Sequence, residues 1–521
     1  MAIASRNTSA QQHGGDRLSD LKDDLLGTIL SFLPVKEAAR AAVLARRYRH
    51  AFAGVNTISF VEQRAHYGIT RDDYTYCLEA VEQRSKNGEL IDGVNAALIC
   101  RRRCAGDINA APRAFRVHFG CFDEWDEPMV SQWLSFLLKR SARQELHLDL
   151  HLQLTVLGEH NFDGQEWGYR GAGSADGECL AHSRYQADIY TLPARLFSCM
   201  ALRTLRLGGC GLDPPDRIRL PFLETLLLTS IQCSRNIQRL ISSCPRLVDL
   251  TLERCGYTPF SCSSFASSHV DRSYTITVVD KHLHRLALRC CHNLVRVSVD
   301  ATELRAFEYR GAVPAESFLT LQGAHNISSC TIDLCGKMVY DRELPRFTKF
   351  LQLFADAKHL HLKSTHLGAD IESNKTIATG FPSFPTLTRL QLTGYLHAGS
   401  IEALARILRQ APNIQILSLF MKQRSRETFQ NVCDQWRELR DDELDVSMIP
   451  CLRNRIREIN LVHYQGLEAH RYAARLLLCN AMVLERLCVA LPRGTVELQI
   501  KLKDEIEGWV VNTASTETIF F

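Results

Sequence analysis

Cysteine and histidine, the residue types that most often carry chemistry, each occur 19 times in the chain. Their densest cluster is "RCCH" (Arg289–His292), with His282 and His284 just before it, a combination that raises the question of zinc. A structural zinc needs four convergent ligands, usually supplied as two spaced pairs. No second Cys-x-x-Cys pair accompanies this one, and Leu283, Leu286 and Leu288 set a repeat register through the same stretch. "CRRRC" (Cys100–Cys104) is spaced no better. Gly171, Gly173 and Gly177 fit neither a dinucleotide fingerprint nor a P-loop, both of which need glycines at fixed offsets between a strand and a helix. Neither G-x-S-x-G nor H-E-x-x-H occurs, and no cysteine and histidine are spaced as a nucleophile and its base. The expectation is a chain with no catalytic residue, no bound cofactor and no metal, whose function lies in surfaces.

Surfaces need elements to carry them, and the composition limits what those can be. With 521 residues, 45% hydrophobic and 23% charged, the chain is globular and long enough for several units or one elongated repeat array. A net charge of +4 is too small to argue for nucleic acid or anionic lipid as partner. The basic runs Arg46–His50 and Arg101–Arg103 are short and read as solvated helix ends. Residues 1–15 are small and polar, without the apolar core of a secretory leader, and read as a disordered tail. No apolar run approaches the ~18 residues that span a bilayer. The odd, scattered cysteines then read as reduced, small apolar fillers in a cytoplasmic or nuclear protein.

The front of the chain is helical. Asp16 or Ser19 is placed to cap a helix along which Leu21, Leu25, Leu26, Ile29, Leu30 and Leu33 recur at steps of three and four. Pro34 stops it, and Lys36–Ala45 restarts with Ala38, Ala39, Ala42, Val43 and Leu44 apolar. A unit of ~35 residues rarely stabilises itself, so an apolar face here needs a partner, either the rest of the chain or another protein. The segments "DRLSDLKDDLL" (Asp16–Leu26), "ILSFLP" (Ile29–Pro34), "EAAR" (Glu37–Arg40) and "VLARRYR" (Val43–Arg49) resemble the plant F-box in order and without gaps. Lys22 stands where that family has proline, and Tyr48 where it has tryptophan. Lysine can lay its stem on apolar surface and extend its charge to water, and tyrosine keeps an aromatic body.

The remainder repeats. Leu-x-x-Leu-x-Leu occurs at Leu202–Leu207, Leu223–Leu228, Leu247–Leu252 and Leu283–Leu288, followed by Leu294, Val297 and Val299, then Leu304, Phe307 and Tyr309. Later copies start at Ala357, Leu387, Ile414, Ile456 and Leu484, and Glu145–Leu150 is an early degenerate one. Several starts are 20–30 residues apart, the leucine-rich-repeat period. On a strand the leucines point inward and the residue between them points out, and only stacked neighbours bury the inward side. Cys210, Cys255 and Cys291 each follow a first leucine by eight residues, inside the turn that leaves the strand. Ser234–Leu247, with Ile237, Leu240 and Ile241, and Ser400–Ile414, with Ile401, Leu404, Ile407 and Leu408, read as return helices. Asn161–Tyr185, Gly256–Tyr274 and Met421–Pro450 read as loops inserted between repeats. "IREINLVHYQG" (Ile456–Gly466) and "AARLLLCNAMVLERLCV" (Ala473–Val489) resemble the FBD segment that ends many plant F-box proteins, and would close the array.

The expected fold is α/β: a short all-α F-box block over residues 16–55, then a leucine-rich-repeat solenoid with parallel strands lining a curved horseshoe and helices outside. Residues 56–140 would hold linking helices and the first degenerate repeats, 141–450 the array with its loops, and 451–521 the FBD-like closure. The resemblance implies a substrate receptor of a Skp1–cullin-1–F-box ubiquitin ligase. A Skp1-like adaptor would dock on Leu18, Leu21, Lys22, Leu25, Leu26, Ile29, Leu30, Leu33, Pro34, Val43, Leu44 and Tyr48, with cullin-1 and a RING subunit reached through it. An unknown protein target would sit on the outward positions Arg206, Thr251, Ser298, Glu308, His361, Gln391, Ser418 and Asn460. No nucleic acid and no membrane are expected as partners. The alternative is a repeat scaffold whose front helices cap the array and do not engage an adaptor.

Overall fold

The computed structural model describes residues 21–33, 35–44, 51–52, 55–61, 73–104, 111–122, 124–141, 144–154, 190–231, 234–256, 273–291, 293–323, 327–334, 340–364, 381–394, 396, 398–421 and 449–521. Leu18, Pro34 and Tyr48, the expected caps Asp16 and Ser19, and the loop Asn161–Tyr185 lie outside these residues, as does most of the other two expected loops. The chain folds as two compact units, residues 1–155 with 199–205, and residues 156–198 with 206–521.

In the first unit, helices α1 (Asp23–Leu30) and α2 (Val35–Leu44) form the front block. Helix α1 starts after an extended Lys22 that makes no side-chain cap. It ends at Leu30, where Ser31 closes it by donating its Oγ–H to the Gly27 carbonyl at 2.7 Å. The same Oγ accepts the Asn56 N–H at 2.9 Å, tying the helix end to the chain that enters β1 (Thr57–Val61). After β1 come α3 (Asp73–Cys104), β2 (Ala114–Phe122), α4 (Glu127–Arg140) and β3 (Leu146–Leu154). The three strands are parallel in the order β1-β2-β3, which requires the helical crossovers α3 and α4. Thus the segment expected to link the block to the array already builds parallel strands. Trp133 of α4 packs on Phe115 and Phe119 and donates its Nε1–H to Asn95 of α3 at 2.7 Å. Gly93 lets α3 pass close to β1, since a Cβ there would stand 2.6 Å from the Phe60 ring. Arg101 of α3 is buried and donates to the carbonyls of Val55 and Ala111, the latter at 3.1 Å.

The next strand, β4 (Leu202–Gly208), carries the first full repeat motif, with Leu202, Leu205 and Leu207 buried. In the second unit a long parallel sheet runs β5 (Thr225–Thr229), β6 (Asp249–Glu253), β8 (Arg285–Arg289), β10 (Ala306–Gly311), β12 (Ser329–Leu334), β13 (His359–Ser364), β14 (Arg389–Gly394), β15 (Ile416–Met421), β16 (Glu458–Val462), β17 (Arg486–Ala490) and β18 (Glu517–Phe520). The mixed α/β architecture is the leucine-rich-repeat one, and its register matches leucine to leucine: Leu226, Leu250, Leu286 and Phe307 align and are buried. Helices α5 (Ser234–Ser242) and α7 (Ala398–Gln410) are the expected returns, and their apolar faces are buried as the spacing requires.

Not every return is a helix. Strands β7 (Tyr274–Val279), β9 (Leu294–Asp300) and β11 (Leu319–Gln322) form a second parallel sheet in the order β11-β9-β7. Leu294, Val297 and Val299 therefore belong to a return strand, and Ser298 is removed from the row of outward residues in which it was expected. The physical reason is the alternation in "YTITVV" and "LVRVSVD", rich in β-branched residues, which suits a half-buried strand rather than a helix. Further returns are α6 (Tyr340–Gln352), whose Phe350, together with Phe354 beyond it, packs on Phe307, and the short α8 (Pro450–Asn454). Within residues 451–521, after α9 (Glu468–Leu478) and β17, come a further helix and strand, α10 (Val496–Glu507) and β18.

The strand exits share one turn. Gly209, Ser230, Arg254, Cys290 and His463 all have left-handed backbone, with φ between 51° and 65°. The N–H of Gly209, Ser230, Arg254 and Cys290 donates to the last carbonyls of the next strand in the sheet. The residue that follows drops into the core: Cys210, Ile231, Cys255 and Tyr464 are buried. Cys255 and Cys291 donate their Sγ–H to the carbonyls of Leu228 and Leu252 on the preceding strand, at 3.3 and 3.5 Å. A small side chain with a weak donor suits that position, so the repeated cysteines serve the turn.

Candidate functional site

Two faces offer themselves for binding. The first is on the front block, which has a core of its own: Leu26, Leu30, Ala38, Ala51 and Val55, with Leu21, Ala41 and Phe52 packed against it. Leu26 and Leu30 were expected on the adaptor face and instead point inward. On a helix this short two i, i+4 pairs divide the surface: Leu26 and Leu30 take the inside, Leu25 and Ile29 the outside. Leu25 is 52% exposed and Ile29 43%, and beyond the helix Phe32 is 83% exposed and Leu33 44%. Together they form one apolar stripe. Leu21 is half-buried and Lys22 exposed beside it. Val43 and Leu44 fall within α2, and their side chains are outside the described ones. Phe32 was not among the expected adaptor-facing residues, although it stands three residues after Ile29; its signal was a large aromatic just before a helix-stopping proline.

The second is the open face of the repeat sheet. Register puts Leu227, Thr251, Ala287, Glu308, Thr331, His361, Gln391, Ser418, Asn460, Cys488 and Ile519 in a single row. Six of the eight expected target-facing residues are thus brought together; Arg206 lies in β4, and Ser298 in the other sheet. Around Glu308 the face is a charge lattice. Its carboxylate accepts from Arg285 Nη2 at 2.8 Å and from Arg289 Nε at 2.7 Å, while Arg285 also reaches Asp249 at 3.0 Å. Burial would raise the Glu308 carboxyl, but the hydrogen bond and charge of Arg289, with Arg285, outweigh it and hold it below its ordinary value. Further along, the character changes: His361 bonds Thr393 Oγ1 at 3.0 Å and lies 6.0 Å from the Phe420 ring. Burial and nearby Lys363 pull His361 down to about 4, so it faces a partner as neutral imidazole. Asn460 donates to Ser418 Oγ at 3.1 Å, which explains why Ser418, although outward, is buried.

A third group was not anticipated. His118 of β2 and Asp149 and His151 of β3 meet on one face. His118 Nε2 is 2.8 Å and His151 Nε2 3.3 Å from the same oxygen, Asp149 Oδ1. Arg116 Nε donates to the other oxygen, Oδ2, at 2.9 Å. Burial would raise the Asp149 carboxyl; the bonds from His118 and His151 outweigh it and lower it. The signal in sequence was the alternation His147-x-Asp149-x-His151, which puts all three on one side of a strand, but the partner His118 lies 31 residues before Asp149.

Comparison with known proteins agrees with these features. A family model described as FBD-associated F-box protein At5g56370, LRR repeats, matches residues 178–313. The chain is thus similar to plant F-box/LRR-repeat proteins. An F-box protein of Arabidopsis thaliana is 24% identical over 419 residues, covering 77% of this chain and 73% of its own. An F-box/LRR-repeat protein of the same plant is 25% identical over 431 residues, 78% of this chain and 69% of its own. Another is 28% identical over 243 residues, which cover 46% of this chain and little more than a third, 37%, of the relative. Among the described residues no helix is long and apolar enough to cross a membrane.

Proposed function

We propose that the protein is the substrate-recognition subunit of a Skp1–cullin-1–F-box ubiquitin ligase, acting in the cytoplasm or nucleus. The observation that carries this reading is the stripe Leu25, Ile29, Phe32 and Leu33, left in solvent by a block whose own core is already filled. Four large apolar side chains in one stripe mark an interaction surface, and a groove on a helical adaptor would bury them. Lys22, in the place of the family's proline, sits exposed at the edge, where its stem can lie on the adaptor while its ammonium stays wet.

The target would then bind across the row from Thr251 to Asn460. The receptor's role is positional: held by its front block, it brings a target lysine near a ubiquitin-charged E2, so that an encounter between separate molecules becomes effectively intramolecular. No residue of this chain needs to touch the reacting atoms, which makes it a non-catalytic subunit.

The test is capture of the full chain by an immobilised Skp1-like protein. Micromolar or tighter retention is expected, with at least a hundredfold loss in Leu25→Asp/Ile29→Asp. Failure of the folded wild-type chain to bind at micromolar concentration would leave the alternative, a scaffold whose front helices serve the fold alone.

A further inference from the structure

We infer that His118, Asp149 and His151 form a site for one divalent transition-metal ion of the zinc class, with a fourth position open to the surface. The argument begins with convergence. Two strands in parallel register place Arg116 opposite Asp149 and His118 opposite His151, so four polar side chains share one side of the β2–β3 pair. The donor atoms of His118, Asp149 and His151 all lie within 4.8 Å of one another. Ligands held ~2.0–2.2 Å from zinc at angles between square and tetrahedral stand about 2.8–3.6 Å apart. The two His–Asp separations, 2.8 and 3.3 Å, fall within that range. A small outward shift of the rings would seat an ion without any rearrangement of the backbone.

The surroundings suit such an ion. Imidazole and carboxylate are the ligand set preferred by zinc and its neighbours, and three protein ligands leave one position free. Arg116 occupies Oδ2 and so turns Oδ1 toward the two rings, the orienting role that groups behind metal ligands commonly play. The imidazoles lie side by side, with ring centroids 4.4 Å apart and planes tilted 51°, so both Nε2 atoms point to the same oxygen. Asp149 is nearly covered, whereas the two histidines are about a quarter exposed, which gives an ion a way in from the surface. The open position would take water, or an imidazole or carboxylate from a bound protein. This site is independent of the adaptor stripe, and either assignment can fail without the other.

The experiment is zinc titration of the full chain, stripped by chelator dialysis, using zinc chloride alone against a chromophoric chelator at pH 7.5. One zinc per chain is expected above any background, and His118→Gln or His151→Gln should weaken it at least tenfold. Glutamine keeps a donor for Asp149, and circular dichroism will verify that both variants fold. Because the chain holds 19 cysteines, X-ray absorption on the loaded protein provides the second readout. A shell of nitrogen and oxygen with imidazole scattering supports the site. A sulfur shell, an unchanged zinc count in both variants, or no retained zinc at micromolar free metal overturns it.

Discussion

The front block leaves Leu25, Ile29, Phe32 and Leu33 in solvent, whereas the open face of the repeat sheet ties its charges to one another, with Glu308 shared by Arg285 and Arg289. The difference concerns how each face can choose a partner. An apolar stripe gains from any surface of matching shape, because the driving force is the area removed from water. A face of paired charges gains only from a partner that re-pairs them, since a desolvated charge left alone is costly. The first suits a constant partner, the second a discriminating one.

This contrast can be broken in four places. The largest effect is expected in the shared core of the array: Leu286→Ala should lower stability by about 2–5 kcal/mol in urea unfolding, because the stacked strands cannot collapse around the gap. The Leu286 side chain is fully buried, and the same change at exposed Leu25 should leave the unfolding midpoint unmoved.

Next is acid sensitivity, which should belong to the array. His470 is buried, accepts the Gln465 N–H on its Nδ1 at 3.1 Å, and is pulled down to about 4 by that burial. As pH falls through the ordinary histidine value of about 6.5, the unfolded chain takes the proton first. Stability is therefore full above that value and declines until the folded value is reached. Between pH 7.5 and 5 the loss should be roughly 2 kcal/mol, and His470→Asn, which keeps an acceptor, should flatten that slope. The described residues of the front block include no histidine, so adaptor capture should be level over the same range.

Phe32→Ala should then weaken adaptor capture about tenfold while the melting temperature stays put, since that ring is exposed in the free chain and adds nothing to the fold. A drop in melting temperature would show that the ring belongs to the block's interior. The smallest effect is expected from Glu308→Gln, at about 1 kcal/mol by thermal unfolding in low salt and less in high salt, as for a half-covered ion pair. Its contribution should also fade in acid, below the ordinary carboxylate range, because the native carboxyl is held low.

Much of the array was readable from the chain alone. Leu-x-Leu alternation names the inward side of each strand, and the period of the motif names most of its neighbours, so Thr251, Glu308, His361, Gln391, Ser418 and Asn460 follow before any coordinates, whereas Thr331 of β12, whose strand lacks the leucine motif, does not. Cys255 and Cys291 were readable for the same reason, because the turn recurs with the strand. Ser298 was misplaced because Leu294, Val297 and Val299 imitate the repeat motif while lying in the return sheet; alternation says that a segment is a strand but not which sheet takes it. Leu26 and Leu30 were misplaced because a short helix with leucines nearly all round does not announce which pair faces its own core.

Sequence alone determined the repeating parts of this protein: the strand registers, the cysteine turns, and an apolar front block too small to be the main core. These are local or periodic, and each follows from a residue and its near neighbours. Tertiary structure decided what depends on residues far apart in the chain. It chose Leu25 and Ile29 over Leu26 and Leu30 as the outer face, stacked β7, β9 and β11 into a second sheet, and brought His118 to Asp149 and His151. Side-chain position across strands is set by packing, and packing is a property of the whole fold.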